Sequence, residues 1–126
     1  MIRRMIALVV IGAVVFMPSF SPLTRQEWVS RASWYGGDER LHRRTAMGQR
    51  FDPEAFEAAM WGVPLGSLVQ VTNQENGRSV VVRVTDRGPA RRFGNRVIDL
   101  TRRSFAELAP LRSGLISVRV QRFPLP

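Results

Sequence analysis

The chain has 126 residues and a formal net charge of +9, and its 19 strongly basic residues are all arginine. It contains no cysteine and no lysine, which excludes a lipid-modified cysteine, disulfides, a thiol nucleophile and lysine chemistry. The basic excess favours a polyanionic partner, but the arginines are scattered, so an arginine-rich soluble surface explains them equally well.

The first 22 residues have the order of a secretory signal. The basic stretch MIRR precedes an apolar run from Met5 to Met17, and small residues follow in PSFSP. A membrane-spanning helix needs about 20 apolar residues, so residues 1–22 are predicted to be a signal peptide or, if uncleaved, a membrane anchor. We therefore expect an exported protein of the bacterial periplasm or cell envelope, not a lipoprotein, and no nucleic-acid partner.

The elements predicted after the signal begin with a linker over residues 23–30. A strand over Arg31–Tyr35 then ends at a glycine turn, and the charged stretch Asp38–Arg44 is predicted to be an exposed loop. Asp52 as N-cap and Pro53 at the first helical position indicate a short helix over Pro53–Met60.

Alternating β-branched residues dominate the second half of the chain. The pair Asn76-Gly77 indicates a hairpin between two strands, and Thr101 is a typical N-cap for a helix. Short strands with two brief helices predict a mainly β domain, a small barrel or an α+β fold, over residues 31–123. The remaining elements are predicted over Ser67–Asn73, Arg78–Thr85, Arg96–Leu100, Thr101–Leu108 and Gly114–Phe123.

Three segments carry a resemblance to a known family. They are ASWYG, TAMGQRFDPEAFEAAMWGVPLGSLVQVTNQENGRSVVVRVTDRGP and RVIDLTRRSFAEL, in this order. Together they closely resemble the rare lipoprotein A (RlpA)-like family over about Arg31–Arg122. The resemblance implies a six-stranded double-psi β-barrel, related in shape to expansin domains. It also implies an endolytic transglycosylase that cleaves MurNAc–GlcNAc linkages of peptide-depleted peptidoglycan and forms 1,6-anhydro-MurNAc.

The resemblance places the catalytic acid of the family at Asp86, within VTDRGP. Glycosidic cleavage needs a carboxylic acid that protonates the leaving oxygen, and the same group can then take the proton of the C6 hydroxyl. The alternative is a turn aspartate that accepts backbone hydrogen bonds or pairs with Arg87. Arg87 is predicted to position a substrate carboxylate or Asp86, because a guanidinium group stays protonated.

Two departures from the family pattern bear on activity. The family commonly has GERFD where this chain has GQRFD, with Gln49 in place of the glutamate. It commonly has TAAH where this chain has EAAM, with Met60 in place of the histidine. Gln49 can orient a sugar hydroxyl and Met60 can pack on a sugar face, but neither can transfer a proton. Asp99 matches a family position near the groove, and its alternative is a buried carboxylate that satisfies backbone donors.

The aromatic residues give further candidates for substrate binding. Trp34, Tyr35 and Trp61 could stack on pyranose rings or belong to the core. Because Trp34 and Tyr35 are adjacent on a strand, one is expected to face inward and the other outward.

The sequence leaves open an alternative to the enzyme: a non-catalytic, expansin-like peptidoglycan-binding barrel or an accessory protein of an envelope complex. One histidine, His42, and scattered carboxylates lack the spacing of metal ligands, so neither a metal nor a cofactor is predicted. The expected partner is the peptidoglycan glycan strand, and we expect a monomer.

Overall fold

The computed structural model describes residues 26–36, 43–88 and 95–124. The predicted signal over residues 1–22 and His42 lie outside these ranges. One α-helix, α1 (Arg102–Leu108), and a single 3-10 turn at Leu111–Ser113 accompany the strands in this part of the chain. The strands are β1 (Glu27–Tyr35), β2 (Glu57–Met60), β3 (Leu68–Asn73), β4 (Ser79–Asp86), β5 (Arg96–Thr101) and β6 (Leu115–Arg122).

The six strands close into a barrel with the order β1-β5-β2-β4-β3-β6. β1 pairs with β5 and β2 with β4 in parallel, whereas the four remaining pairs are antiparallel. Closure leaves no free sheet edge, which is how a small β domain avoids unpaired backbone groups. The predicted mainly β fold is confirmed.

Alternation along the strands builds the core inside the barrel. In β3 and β4 the valines at every second position are buried, and valines of β6 meet them from the neighbouring strand. The helix α1 contributes Phe105 and Leu108, both without exposed surface. The fully or almost fully buried valines are Val69, Val71, Val82, Val84, Val118 and Val120.

The predicted helix over Pro53–Met60 is wrong. Residues 53–56 form turns and bends, and β2 begins at Glu57, where it pairs with both β4 and β5. The local sequence has good helix formers, but two distant strands satisfy its backbone groups and bury Ala58 and Met60, which overrides propensity. Asp52 accepts a hydrogen bond from the backbone N–H of Glu54 and thus stabilises a turn instead of capping a helix.

The barrel also begins earlier than predicted. β1 starts at Glu27, inside the predicted linker, because Trp28 is buried in the core and the strand pairs with β6 from its first residue. At the other end of the domain the prediction for α1 is confirmed. The hydroxyl of Thr101 accepts a hydrogen bond from the backbone N–H of Ser104, as an N-cap does.

Candidate active site

A β-bulge in β4 determines where Asp86 lies. β2 and β4 pair at Ala58 and Val84, but the next residue of β2, Ala59, is opposite Asp86, so Thr85 is the extra residue. Bulges bend a strand and redirect its side chains, and they occur often beside active sites. Asp86 is the last residue of β4, where the strand meets the loop that follows.

Ala59 also connects Asp86 to a second carboxylate. On the other side of β2, Ala59 is paired with Asp99 of β5, and Asp99 is paired in turn with Ser33 of β1. Paired residues on adjacent strands point to the same face of a sheet. Since Ala58 belongs to the barrel interior, this row lies on the outer face of the barrel.

Tyr35 lies among the carboxylates of this face. Its ring packs against Phe51 at 5.0 Å between ring centroids, and the two form a small buried cluster with Ala59. Burial raises the pKa of the Tyr35 phenol well above its ordinary value, and the negative charges of three carboxylates raise this pKa further. The phenol therefore stays protonated and can donate. The carboxylates are those of Asp86, Asp99 and Glu57.

Asp86 is 5% exposed and accepts three N–H donors. The guanidinium group of Arg43 donates to Oδ2 at 3.0 Å. The backbone N–H groups of Ala46 and Arg87 donate to Oδ1 at 3.2 and 2.9 Å. Because these groups can only donate, all three contacts use lone pairs of the carboxylate and fit its ionised form.

The other two carboxylates are half-buried. Asp99 accepts a hydrogen bond from the hydroxyl of Ser33 at 3.0 Å. Glu57 accepts one from the hydroxyl of Thr85, the extra residue of the bulge, at 3.2 Å. Sequence analysis did not propose Glu57 as a site residue, because a helix over Pro53–Met60 hides the fact that residues 57 and 59 share a strand face. The strand alternation was the signal that could have found it.

Arg43 is the second residue that sequence analysis missed. It lies in the predicted exposed loop, and its side chain is indeed 47% exposed, yet it contacts a carboxylate that is almost fully buried. Gln49 lies in the turn that follows this loop, where its backbone oxygen accepts from the N–H of Thr45 and the residue is exposed. A role for the Gln49 amide in binding a sugar hydroxyl therefore stays a prediction.

Arg87 reaches Asp86 only through its backbone. Its guanidinium group donates to the carbonyl oxygens of Met60 at 3.2 Å and Val63 at 2.7 Å and lies 5.4 Å from the ring centroid of Trp61. Arg87 thus contacts Asp86 through its backbone N–H, and the alternative of a pair between the two side chains is not observed among the described residues. The guanidinium group holds the loop that follows β2, and contact with a substrate carboxylate stays a prediction.

Met60 does not line the site. It has no exposed surface and packs with Ile98 and Leu100 in the barrel core, so the predicted contact with a sugar face is wrong. The physical reason is the strand alternation of β2, which turns residue 60 inward when residue 59 faces outward. The prediction that Trp34 and Tyr35 face opposite sides of their strand is confirmed: Trp34 packs against the main core and Tyr35 lies in the separate cluster on the outer face. Stacking of Trp34, Tyr35 or Trp61 on a pyranose ring stays a prediction.

The described residues show no cluster of three histidine, cysteine or carboxylate side chains that could hold a metal ion. Their helices also include none with the length and apolar character needed to cross a membrane.

A family model described as lytic transglycolase matches residues 29–120, nearly the whole barrel. The chain belongs to the RlpA-like family of double-psi β-barrel proteins. The match includes the bulge in β4 and the row of residues around Ala59, so the site described above lies within the family domain. The resemblance inferred from the three sequence segments is thereby confirmed.

Two RlpA-like relatives show the extent of the similarity. The protein named endolytic peptidoglycan transglycosylase RlpA of Neisseria meningitidis serogroup B is 46% identical over 92 residues, 72% of this chain and 37% of that protein. The one named probable endolytic peptidoglycan transglycosylase RlpA of Nostoc is 50% identical over 91 residues, 71% of this chain and 24% of that protein. The chain thus spans only a minor part of the length of these relatives.

Solved structures agree with the barrel fold. The Streptomyces papain inhibitor has a TM-score of 0.60 and 26% identity, and the match covers 77% of this chain and 94% of the inhibitor. The apo expansin of Clavibacter michiganensis has a TM-score of 0.57 and 21% identity, with 80% of this chain and 52% of the expansin covered. At this identity the expansin supports the fold alone.

Proposed function

We propose that the domain is an endolytic peptidoglycan transglycosylase whose catalytic carboxylate is Asp86. The observation that carries the proposal is a nearly buried carboxylate at a β-bulge, in one row with Asp99 and beside the protonated phenol of Tyr35. The names of the RlpA relatives support the reaction class. The substrate is the MurNAc–GlcNAc linkage of glycan strands, and the product end is 1,6-anhydro-MurNAc.

The contacts of Asp86 favour its action as the base of the reaction. As a carboxylate, Asp86 can take the proton of the C6 hydroxyl of the muramoyl residue while O6 attacks C1. Arg43 and the two backbone donors fix the orientation of the carboxylate before the substrate binds, which is the positioning that such a base needs. Tyr35 can donate a hydrogen bond to a substrate oxygen that comes within reach of its hydroxyl.

The reaction also requires an acid that protonates the leaving oxygen. Asp86 can be this acid only when it carries a proton, and none of the three groups that contact Asp86 can hand it one, because each is an N–H donor. In the single-carboxyl mechanism, in which Asp86 acts first as acid and then as base, the proton must therefore lie on a lone pair that none of these donors uses.

The second candidate function is a barrel that binds peptidoglycan without cutting it, alone or as an accessory protein of an envelope complex. It is favoured by the ion pair of Asp86 with Arg43 and by Gln49, whose amide lacks a transferable proton where the family commonly has a glutamate. The papain inhibitor, a protein named for inhibition, has the same barrel. In either function we propose an exported monomer that acts in the bacterial cell envelope.

The experiment incubates the purified chain with intact and with amidase-treated peptidoglycan and analyses soluble products for 1,6-anhydro-muramoyl ends. Asp86→Asn is the test variant, and Asp52→Asn is the matched control, because Asp52 is exposed and serves only a turn. Products from the wild type and the control, but not from Asp86→Asn, support the transglycosylase. Absence of wild-type products, together with cosedimentation with wall material, supports the binding protein.

A further inference from the structure

Glu57 differs from Asp86 in the kind of group that contacts its carboxylate. Within the described ranges it accepts one hydrogen bond, from the hydroxyl of Thr85, and forms no ion pair. A hydroxyl can donate to a carboxylate and can rotate to accept from a carboxylic acid, so Thr85 fits both protonation states of Glu57. The arginine and backbone N–H groups at Asp86 can only donate, so they hold its oxygens as hydrogen-bond acceptors.

The position of Glu57 suits a second catalytic group. It lies on β2 two residues before Ala59, the residue opposite Asp86, and on the same outer face. The charges of Glu57 and Asp86 both act on the Tyr35 phenol, and the hydroxyl that binds Glu57 belongs to Thr85, the residue next to Asp86, so the two carboxyl groups share one site. Glu57 is half-buried whereas Asp86 is buried, so Glu57 has the greater contact with solvent from which it can be reprotonated.

The chain also gains this carboxylate where it departs from its family. In the segment that commonly reads TAAH, the chain has Glu57 in place of threonine and Met60 in place of histidine. Met60 is in the core, and the neutral amide of Gln49 replaces the glutamate of GERFD. Glu57 thus restores a proton-transferring side chain to a site in which these two positions cannot supply one.

We propose that Glu57 is the general acid of this site and that Asp86 is its base. The assignment rests on the proposed transglycosylase function and divides between two carboxyl groups the roles that one would otherwise perform in turn. It follows the rule that two carboxyl groups in different environments take different roles. Asp86 remains paired with Arg43 and begins the reaction as a carboxylate.

The step balances as follows. The proton of Glu57 passes to the glycosidic oxygen, and the bond between that oxygen and C1 of the muramoyl residue breaks with its electron pair on the leaving oxygen. The C6 hydroxyl gives its proton to Asp86, and O6 forms the new bond to C1. One proton leaves the site on the product and one arrives from the substrate, and exchange through water returns the proton from Asp86 to Glu57.

The test compares two substrates, natural glycan strands and a synthetic muramoyl glycoside with an acidic phenol as its leaving group. An acidic phenol departs without protonation, so loss of a general acid slows cleavage of the strands and spares the aryl glycoside. We expect Glu57→Gln to lower kcat on strands by about 10²–10⁴-fold and to change it less than about tenfold on the aryl glycoside. Asp86→Asn is expected to abolish both reactions.

Two further variants make the comparison specific. Glu75→Gln is the matched control, because Glu75 is an exposed glutamate outside the site, next to the hairpin between β3 and β4. It is expected to cleave both substrates as the wild type does. Glu57→Asp keeps a carboxyl group at the position and is expected to retain more activity on strands than Glu57→Gln. Thermal unfolding of each variant verifies that the barrel is intact.

Two outcomes overturn the assignment of Glu57 and leave the proposed function in place. One is a Glu57→Gln variant that cleaves strands as fast as the wild type, while Asp86→Asn does not. The other is a Glu57→Gln variant that loses both reactions equally, which indicates a role in binding or folding. A wild-type chain that releases no anhydro product from either substrate overturns the proposed function and the assignment together.

Discussion

Asp86 and Asp99 flank a single residue of β2, since β4 and β5 both pair with it at Ala59. The two strands approach β2 from opposite sides, one parallel and one antiparallel, so the barrel topology brings together carboxylates that belong to different strands. The phenol of Tyr35 lies within the electrostatic influence of both. Tyr35 can therefore report on the charges of the whole site.

The ionisation of Tyr35 gives the first prediction. The chain has a single tyrosine, so its phenolate absorbance reports this residue alone. Burial and the nearby carboxylates raise the pKa of Tyr35 in the folded protein, whereas the unfolded chain ionises near the ordinary value of about 10. We expect no phenolate signal from the folded protein at a pH where the protein in guanidinium chloride shows a full one.

The difference between the pKa of Tyr35 in the folded and in the unfolded chain also predicts how stability depends on pH. A group whose pKa is raised by folding gives its full contribution below the unfolded pKa and loses it as pH rises, so the free energy of unfolding should fall above about pH 10. Tyr35→Phe should flatten this fall, and Asp86→Asn should let the phenol ionise at lower pH. A folded wild type that titrates with an ordinary tyrosine midpoint would contradict the burial of the phenol.

Much of the barrel could be predicted from sequence because its signals are local. The valine alternation of β3 and β4, the Asn76-Gly77 turn and the Thr101 cap each depend on neighbouring residues. The predicted bounds of β3, β4, β5, α1 and β6 lie within one residue of the observed ones. The position of Asp86 at the end of a strand was predictable for the same reason.

The parts that were missed depend on contacts between distant residues. EAFEAAM favours a helix by itself, and only pairing with β4 and β5 makes Glu57–Met60 a strand. The ion pair of Arg43 with Asp86 joins positions 43 residues apart. No local pattern indicates this ion pair. Because neither the ion pair nor β2 could be predicted, the sequence predicted the catalytic carboxylate of Asp86 without the residues that contact it.

The burial of Met60 predicts that the family histidine cannot simply be restored. Met60→His places an imidazole in the core without a polar partner, and we expect it to lower the free energy of unfolding by about 2–4 kcal/mol. Met60→Leu, the apolar control, is expected to cost less than about 1.5 kcal/mol. Urea unfolding measures both. Equal stability of the two variants, with higher transglycosylase activity for Met60→His, would mean that residue 60 reaches the site.

Gly88 predicts a steric link between the loop after Asp86 and β2. A Cβ atom at Gly88 would lie 2.7 Å from the carbonyl oxygen of Ala59 and 2.9 Å from Cα of Met60. These are backbone atoms that cannot rotate away. Gly88→Ala should therefore lower the free energy of unfolding by about 1–3 kcal/mol and displace Asp86. Activity should fall further than stability explains.

Gly77→Ala supplies the control for this steric effect. Gly77 has a φ of 76° and open space around it. The substitution should therefore lower the free energy of unfolding by about 1 kcal/mol through backbone strain alone and leave the site unchanged. Urea unfolding and product release are measured for both variants. If Gly88→Ala keeps the activity of Gly77→Ala, the close approach of the loop to β2 does not position Asp86.

The ion pair of Arg43 with Asp86 carries the last prediction. Arg43→Gln leaves a nearly buried carboxylate with two backbone donors and no cation. Exposed ion pairs contribute up to about 1 kcal/mol, and removing one partner of a buried pair costs about 3–5 kcal/mol. The side chain of Arg43 is 47% exposed and that of Asp86 is 7% exposed. We therefore expect Arg43→Gln to lower the free energy of unfolding by an intermediate amount, about 1–2 kcal/mol.

The neighbouring residue provides the matched control. Arg44 is also exposed, and its guanidinium group contacts only the carbonyl oxygen of Gly48, so Arg44→Gln removes the same charge without touching a carboxylate. With Asp86 as a base oriented by Arg43, Arg43→Gln should lower kcat on glycan strands with little change in KM, because substrate contacts remain while the carboxylate can rotate. A rise in activity would instead mean that Arg43 holds Asp86 in an inactive state, which contradicts its role as the group that orients the base.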